Sequence, residues 1–302
     1  MLPTSQIHPL FCKFPSHSEP PEVGYEPDFL GIKKRSEFLA GAAGEAMRVD
    51  TVYPPINEEY FEWIDLLESV LAAKEEYTMM ELGAGYGRWT VRAACVVRLY
   101  RQIPFHLVAV EAEPRHFKWI GQHMRDNGID PSEHTLLRVA VSDRAGEALF
   151  YVGAPSGGDD QAAEWYGQAL TQSYEVVHGS AEVNYESYEV LKLASGYEAI
   201  KTKSVLLCDI LPDTDRIDLI DMDIQREEMN VVASAIDILD RKVARLHIGT
   251  HGPAIEAGLR KLLGDHGWEC RADYECLKEN ETRWGPVKFL DGLQSWVNPR
   301  FA

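Results

Sequence analysis

The amino-acid sequence predicts an α/β protein whose mostly parallel sheet carries helices on both faces. Three observations lead there. From Tyr77 onward, short apolar runs of strand length alternate with amphipathic helical patterns, which is the mark of βαβ units. A glycine-rich stretch, "MMELGAGYGRW", stands at the first strand-to-helix junction of that series. Two apolar runs, "HLVAVEAE" and "IDLIDMD", end in acids at the place where open α/β sheets gather their ligands.

Bulk composition narrows the classes. The chain has 302 residues, 45% hydrophobic and 26% charged, as expected of a soluble globular protein with one large domain and additions. No apolar run reaches the roughly 18 residues of a membrane span, and "MLPTSQIHPLFCKF" lacks the pattern of a signal peptide. Cys12, Cys95, Cys208, Cys270 and Cys276 form no CxxC pair, so a reducing cytosol is expected rather than a disulfide framework or a zinc site. A formal charge of −18 argues against a general nucleic-acid binder, because neutralising phosphates needs a basic surface. The expected partner is a small molecule, with no nucleic acid and no membrane; the oligomeric state stays open, a homo-oligomer included.

The elements follow in order. Residues 1–50 are proline-rich and aperiodic, and read as an irregular arm with short helical pieces. "PPINEEYFEWIDLLESVLAA" reads as a helix capped by Asn57, with Glu58 and Glu59 in the first turn and an apolar stripe of Tyr60, Ile64, Leu67 and Leu71. "YTMMEL" is a strand, and "RWTVRAACVVRLY" a helix with Val91, Cys95 and Leu99 on one face. "FHLVAVEAE" is the next strand, and "PRHFKWIGQHMRDNG" a helix that opens on proline and closes on glycine. "TLLRVAVSD" and "EALFYVG" are strands joined by a turn. The polar, aperiodic stretch at about 154–200 reads as a lid-like insertion. "SVLLCDIL" and "IDLIDMDI" are strands, "REEMNVVASAIDILDRK" a helix, "ARLHIGT" a strand and "PAIEAGLRKLLGDHG" a helix. "ECRADYECL" and "PVKFLDGLQSW" read as two closing strands. The division expected is an arm over 1–75 and a catalytic domain over 76–302.

Gly83, Gly85 and Gly87 follow a strand and open a helix, the setting of a nucleotide-binding loop. The dinucleotide fingerprint would place its third glycine at Arg88, where a bulky side chain stands instead, so NAD is disfavoured. No Gly-Lys-Ser/Thr follows, which removes a P-loop. An acid two residues before the first glycine, Glu81, would repel phosphates and suits a cationic ligand. S-adenosylmethionine offers an ammonium, a sulfonium and no phosphate. Glu81, Gly83, Ala84, Gly85 and Gly87 resemble the first motif of class I methyltransferases, which implies that they face the methionine part of that cofactor. Glu111, with Glu113 as fallback, stands where an acid would accept both ribose hydroxyls. Ser142 and Asp143 in "AVSD" are expected to meet the adenine.

Over roughly 78–269 the chain resembles the FkbM family of methyltransferases, through "VAVEAEP", "HTLLRVAVSDRAGEALFYVG", "IDLIDMDI" and "LHIGTHG". The resemblance implies a Rossmann-like seven-stranded mostly parallel sheet. It also implies an O-methyltransferase acting on a hydroxyl of a sugar or natural-product intermediate. The family's segment after the fourth strand reads Lys-x-Asp-x-Glu-Gly-x-Glu. Here "DMDIQREE" keeps Asp223 and Glu228 but has Asp221, Gln225 and Arg226 for the lysine, glutamate and glycine. N- or carboxyl-methylation stays open, as does a non-catalytic cofactor-binding partner protein.

Methyl transfer from a sulfonium is an in-line displacement that asks the protein to position two reactants and take one proton. Asp223 and His251 close two strands and are the candidate catalytic groups. Glu228 joins them, because it lies four residues before Val232 on the apolar face of the next helix, where a carboxylate needs a partner. Its neighbour Glu227 reads as solvated. Asp223, Glu228 and His251 could together hold a divalent metal. Tyr60, Phe61, Trp63, Trp165 and Tyr166 could stack on an acceptor, while Asp291 and Trp296 read as sheet edge without chemistry.

Overall fold

A computed structural model describes residues 7–14, 17, 22–38, 53–153, 168–171 and 184–301. Its centre is a seven-stranded sheet. In chain order the strands are β1 (Tyr77–Leu82), β2 (Phe105–Val110), β3 (Thr135–Leu137), β4 (Leu219–Met222), β5 (Arg245–Thr250), β6 (Glu269–Tyr274) and β7 (Gly292–Val297). Across the sheet they run β6-β7-β5-β4-β1-β2-β3, and only β7 is antiparallel to its neighbours. The chain builds outward from β1 in one direction, then returns to start β4 on the other side. A crevice therefore opens beyond the ends of β1 and β4, the switch point where such sheets bind ligands.

Among the described residues five helices cover the sheet: α1 (Glu58–Ala72), α2 (Arg88–Tyr100), α3 (Pro114–Asp126), α4 (Glu228–Lys242) and α5 (Pro253–Asp265). All six residues of β1 are buried, because both faces of a parallel strand are covered. Met79 packs with Trp63, Leu66 and Val91 on the side of α1 to α3, and Met80 with Val231, Leu239 and Leu259 on the side of α4 and α5. Among the described residues no helix is long and apolar enough to cross a membrane.

Several readings shift. Asn57 occupies the cap position of α1, yet its side chain makes no capping hydrogen bond. Leu99 is 58% exposed although Val91 and Cys95 are buried. "TLLRVAVSD" divides between two sheets: Thr135–Leu137 joins the central one, and Ala140–Val141 pairs with Glu198–Val205 in a second sheet. "SVLLCDIL" ends as a strand at Val205 and turns through a short 3-10 helix at Leu207–Asp209. "PVKFLDGLQSW" is two strands, Gly285–Phe289 and β7, broken at Leu290 and Asp291. That break has a consequence at the site below. Of the stretch read as a lid, Trp165 and Tyr166 lie outside the described residues.

Helix α1 is fastened to the sheet by one buried group. The Asp65 carboxylate, 2% exposed, accepts from Arg245 Nη1 at 2.5 Å and Ser295 Oγ at 2.6 Å, and meets His247 Nδ1 at 2.6 Å. Burial alone would depress the His247 pKa, but the hydrogen bond and charge of Asp65 outweigh it and push it up to about 9. A raised imidazole pKa stabilises the fold fully below its ordinary value of 6.5, and that contribution is lost as pH climbs through 9. Asp65→Asn should therefore cost about 2 kcal/mol at neutral pH. Urea melts should also show a flatter decline of stability between pH 6.5 and 9 than in the wild type.

Candidate active site

A cavity of about 500 Å³ lies over the ends of β1, β2 and β4, bounded by α1 and by the turn before β7. The glycine loop forms one wall. Gly83, Gly85 and Gly87 all have left-handed φ, +78°, +55° and +76°. A Cβ at Gly83 would stand 1.8 Å from the Asp223 carbonyl oxygen, so the first glycine lets β1 and β4 close together. Ala84 and Gly85 line the cavity, whereas Gly87 packs towards Ile120 of α3.

Glu81 borders the cavity, but its carboxylate is already engaged. It accepts from the amides of Trp89 at 2.9 Å and Thr90 at 2.8 Å and from the Thr90 hydroxyl at 2.8 Å, tying down the start of α2. A helix start offers unpaired N–H groups that draw an acid, so Glu81 holds the loop in shape while it borders the cavity. Glu111 sits across from it and accepts from Gly85 N at 2.6 Å and Glu113 N at 2.7 Å. Burial pushes its carboxyl up to about 8. Glu113, the fallback, is turned away and caps α3 through His116 N. Ser142 and Asp143 stand just outside the wall, where Val139, Ala140 and Val141 line the cavity instead. The Ser142 hydroxyl donates to Glu227 at 3.0 Å, so Glu227 is held rather than solvated.

At the far end Asp223 reaches into the cavity, its side chain 52% exposed. Behind it lies His251, whose side chain is 7% exposed, with Nε2 at 3.4 Å from Asp223 and 3.5 Å from Asp291. Its Nδ1 is 2.7 Å from Glu228, a fully buried carboxylate at the first residue of α4. Nε2 is buried and has no hydrogen-bond partner among the described residues. Burial alone would lower this imidazole, yet the Glu228 hydrogen bond and the charges of Asp223 and Asp291 push it up to about 9. Asp291, read from sequence as edge, joins the site because the strand break at Leu290 turns it inward. No sequence signal marked it.

Ligand atoms of Asp223, Glu228 and His251 lie within 4.8 Å of one another. With Nδ1 committed to Glu228, the arrangement is that of an oriented imidazole. The family's glycine position keeps its conformation without the glycine: Gln225 and Arg226 take φ of +49° and +83°, a strained turn for side-chain-bearing residues. Tyr60, Phe61 and Trp63 are core residues of α1, packed against Phe11, Phe289 and Phe29 respectively, because the helix buries that face on the arm and on the hairpin before β7. They do not reach the cavity wall.

No protein-family model matches the chain. A curated protein from Jannaschia sp. (strain CCS1), named "Putative methyltransferase", is 27% identical over 293 residues, which covers 95% of this chain and 97% of that protein. Solved structures similar to this chain include the methyltransferase FkbM from Methylobacillus flagellatus KT, at 10% identity and TM-score 0.43, over 74% of this chain. The match spans 44% of that longer chain. Another is the precorrin-6y C5,15-methyltransferase from Geobacter metallireducens GS-15, at 14% identity and TM-score 0.37, over 82% of this chain and 91% of that one.

The residues of the cavity suit S-adenosylmethionine. Glu111 is a buried carboxylate facing the cavity, and ribose hydroxyls are donors it would accept. The acids Glu62, Asp221 and Asp223 favour a ligand with positive charge.

Proposed function

We propose that this protein is an S-adenosylmethionine-dependent methyltransferase that methylates a hydroxyl oxygen of a small molecule, a sugar or a natural-product intermediate; the 27% identity to a protein named as a putative methyltransferase supports the reading. The observation that carries the reading is the Asp223–His251–Glu228 row, which runs from the open cavity to a buried carboxylate. Asp223 accepts the acceptor hydroxyl's hydrogen bond and receives its proton as the oxygen attacks. His251 Nε2, 3.4 Å behind, takes that proton on. Glu228 holds the ring by Nδ1, fixing the tautomer that leaves Nε2 free. When bound, S-adenosylmethionine supplies the methyl group and departs as a neutral thioether. No step calls for a metal, so a chelator should leave turnover unchanged.

Because His251 must be unprotonated to receive a proton, turnover should rise with pH and level off above about 9. The test is transfer of labelled methyl to a panel of sugars and polyhydroxylated metabolites, with NMR to locate the new methyl. Products methylated only on nitrogen, or turnover that falls between neutral pH and pH 9, would count against it.

A further inference from the structure

Two carboxyl groups on the cavity floor have no part in that chemistry. Asp221 stands in β4 where the resemblance has lysine, so the floor changes from +1 to −1 at this position. In register it lies between Glu81 of β1 and His247 of β5. Both neighbours are committed, Glu81 to the start of α2 and His247 to Asp65. Asp221 is 7% exposed, borders the cavity, and takes no hydrogen bond or ion pair among the described residues. Glu62 of α1 borders the same cavity and is equally unpartnered among them. A carboxylate withdrawn from water without donors is costly, so a floor of this kind is built for a cation.

We propose that Glu62 and Asp221 form the seat for the α-ammonium at the methionine end of the donor. This rests on the donor reading and sharpens it. Glu111 marks the nucleoside end at β2, and β4 lies two strands away, about 10 Å at ordinary strand spacing. A donor with its ribose on Glu111 crosses the glycine loop and delivers its amino-acid arm to β4. The loop acid is spent on backbone amides, which leaves this pair as the floor's unsatisfied acceptors.

The seat has a second property. The pair is faced by Glu59 of α1, Arg88 and Arg92 of α2, Glu81 of β1, His247 of β5, and Asp223 after β4. Burial, offset only in part by His247 and the arginines, raises Glu62 to about 7 and Asp221 well above its ordinary range. At neutral pH the free protein therefore keeps a proton on the pair. The arriving ammonium takes that proton's place, and the proton goes to the buffer.

Titration calorimetry in buffers of different ionisation enthalpy counts such protons. S-adenosylhomocysteine and 5′-methylthioadenosine share the adenosine that meets Glu111, so any proton lost there cancels between them; only the first carries the ammonium. At neutral pH the wild type should release up to about one more proton with S-adenosylhomocysteine than with 5′-methylthioadenosine. A Glu62→Gln, Asp221→Asn double variant should lose that difference. It should bind S-adenosylhomocysteine at least about tenfold more weakly, and 5′-methylthioadenosine within about twofold. Equal proton counts for the two ligands in the wild type would overturn the seat. Absence of binding by both would instead overturn the donor reading. Should the double variant fail to fold, the wild-type difference decides alone.

Discussion

Asp223→Asn should lower kcat for methyl transfer by about 10²–10⁴-fold, the usual contribution of a placed proton acceptor. Binding of S-adenosylhomocysteine should stay within about twofold, because the amide keeps the shape of the side chain and the Asp223 backbone still packs on Gly83. His251→Ala provides the companion readout. It removes the group whose raised pKa sets the pH dependence, so the rise in turnover towards pH 9 should vanish along with most of the rate. Glu228→Gln should move the midpoint of that rise to lower pH, since it replaces the charge that holds the imidazole up. A profile unchanged in both variants would show that the row behind Asp223 carries no proton. An Asp223→Asn enzyme with wild-type kcat would remove the carboxylate from the chemistry.

Gly83→Ala is the second large effect, and it falls on the scaffold. The added methyl would lie 1.8 Å from the Asp223 carbonyl oxygen, a backbone atom that cannot swing aside. The residue also holds φ at +78°, which costs an alanine about 1–2 kcal/mol. Overpacking contributes about 1–3 kcal/mol more. A loss of about 2–5 kcal/mol is expected in urea melts, accompanied by loss of S-adenosylhomocysteine binding as β1 and β4 are prised apart. A variant destabilised by less than about 1 kcal/mol that still binds would mean the two strand ends have room to spare.

Much of this was legible in the residues themselves. The period of the apolar positions fixed five helices and most of the strands, because a strand buried on both faces reads as a continuous apolar run and a helix shows its stripe. Glu111 and the glycines could be found because they sit at fixed offsets from a strand end. Glu228 could be found because a carboxylate on an apolar stripe is anomalous. Other signals told only part. Glu81 does border the cavity, but nothing in its spacing showed that its oxygens also hold the start of α2, since one carboxylate can satisfy either kind of donor.

What the sequence determined, then, is whatever local rules control: the alternation of elements, the turn that only glycine allows, and the acids that end two strands. Only the tertiary structure decided which acids share a cavity. Glu62, Asp221 and Asp291 come from α1, β4 and the turn before β7, more than two hundred residues apart at the extremes. Their meeting depends on strand order, on Asp65 clamping α1 to β5, and on a strand break at Leu290. Charge acts through space, whereas sequence periodicity reports only on neighbours along the chain. The electrostatics of the floor could therefore be read only once the chain was folded.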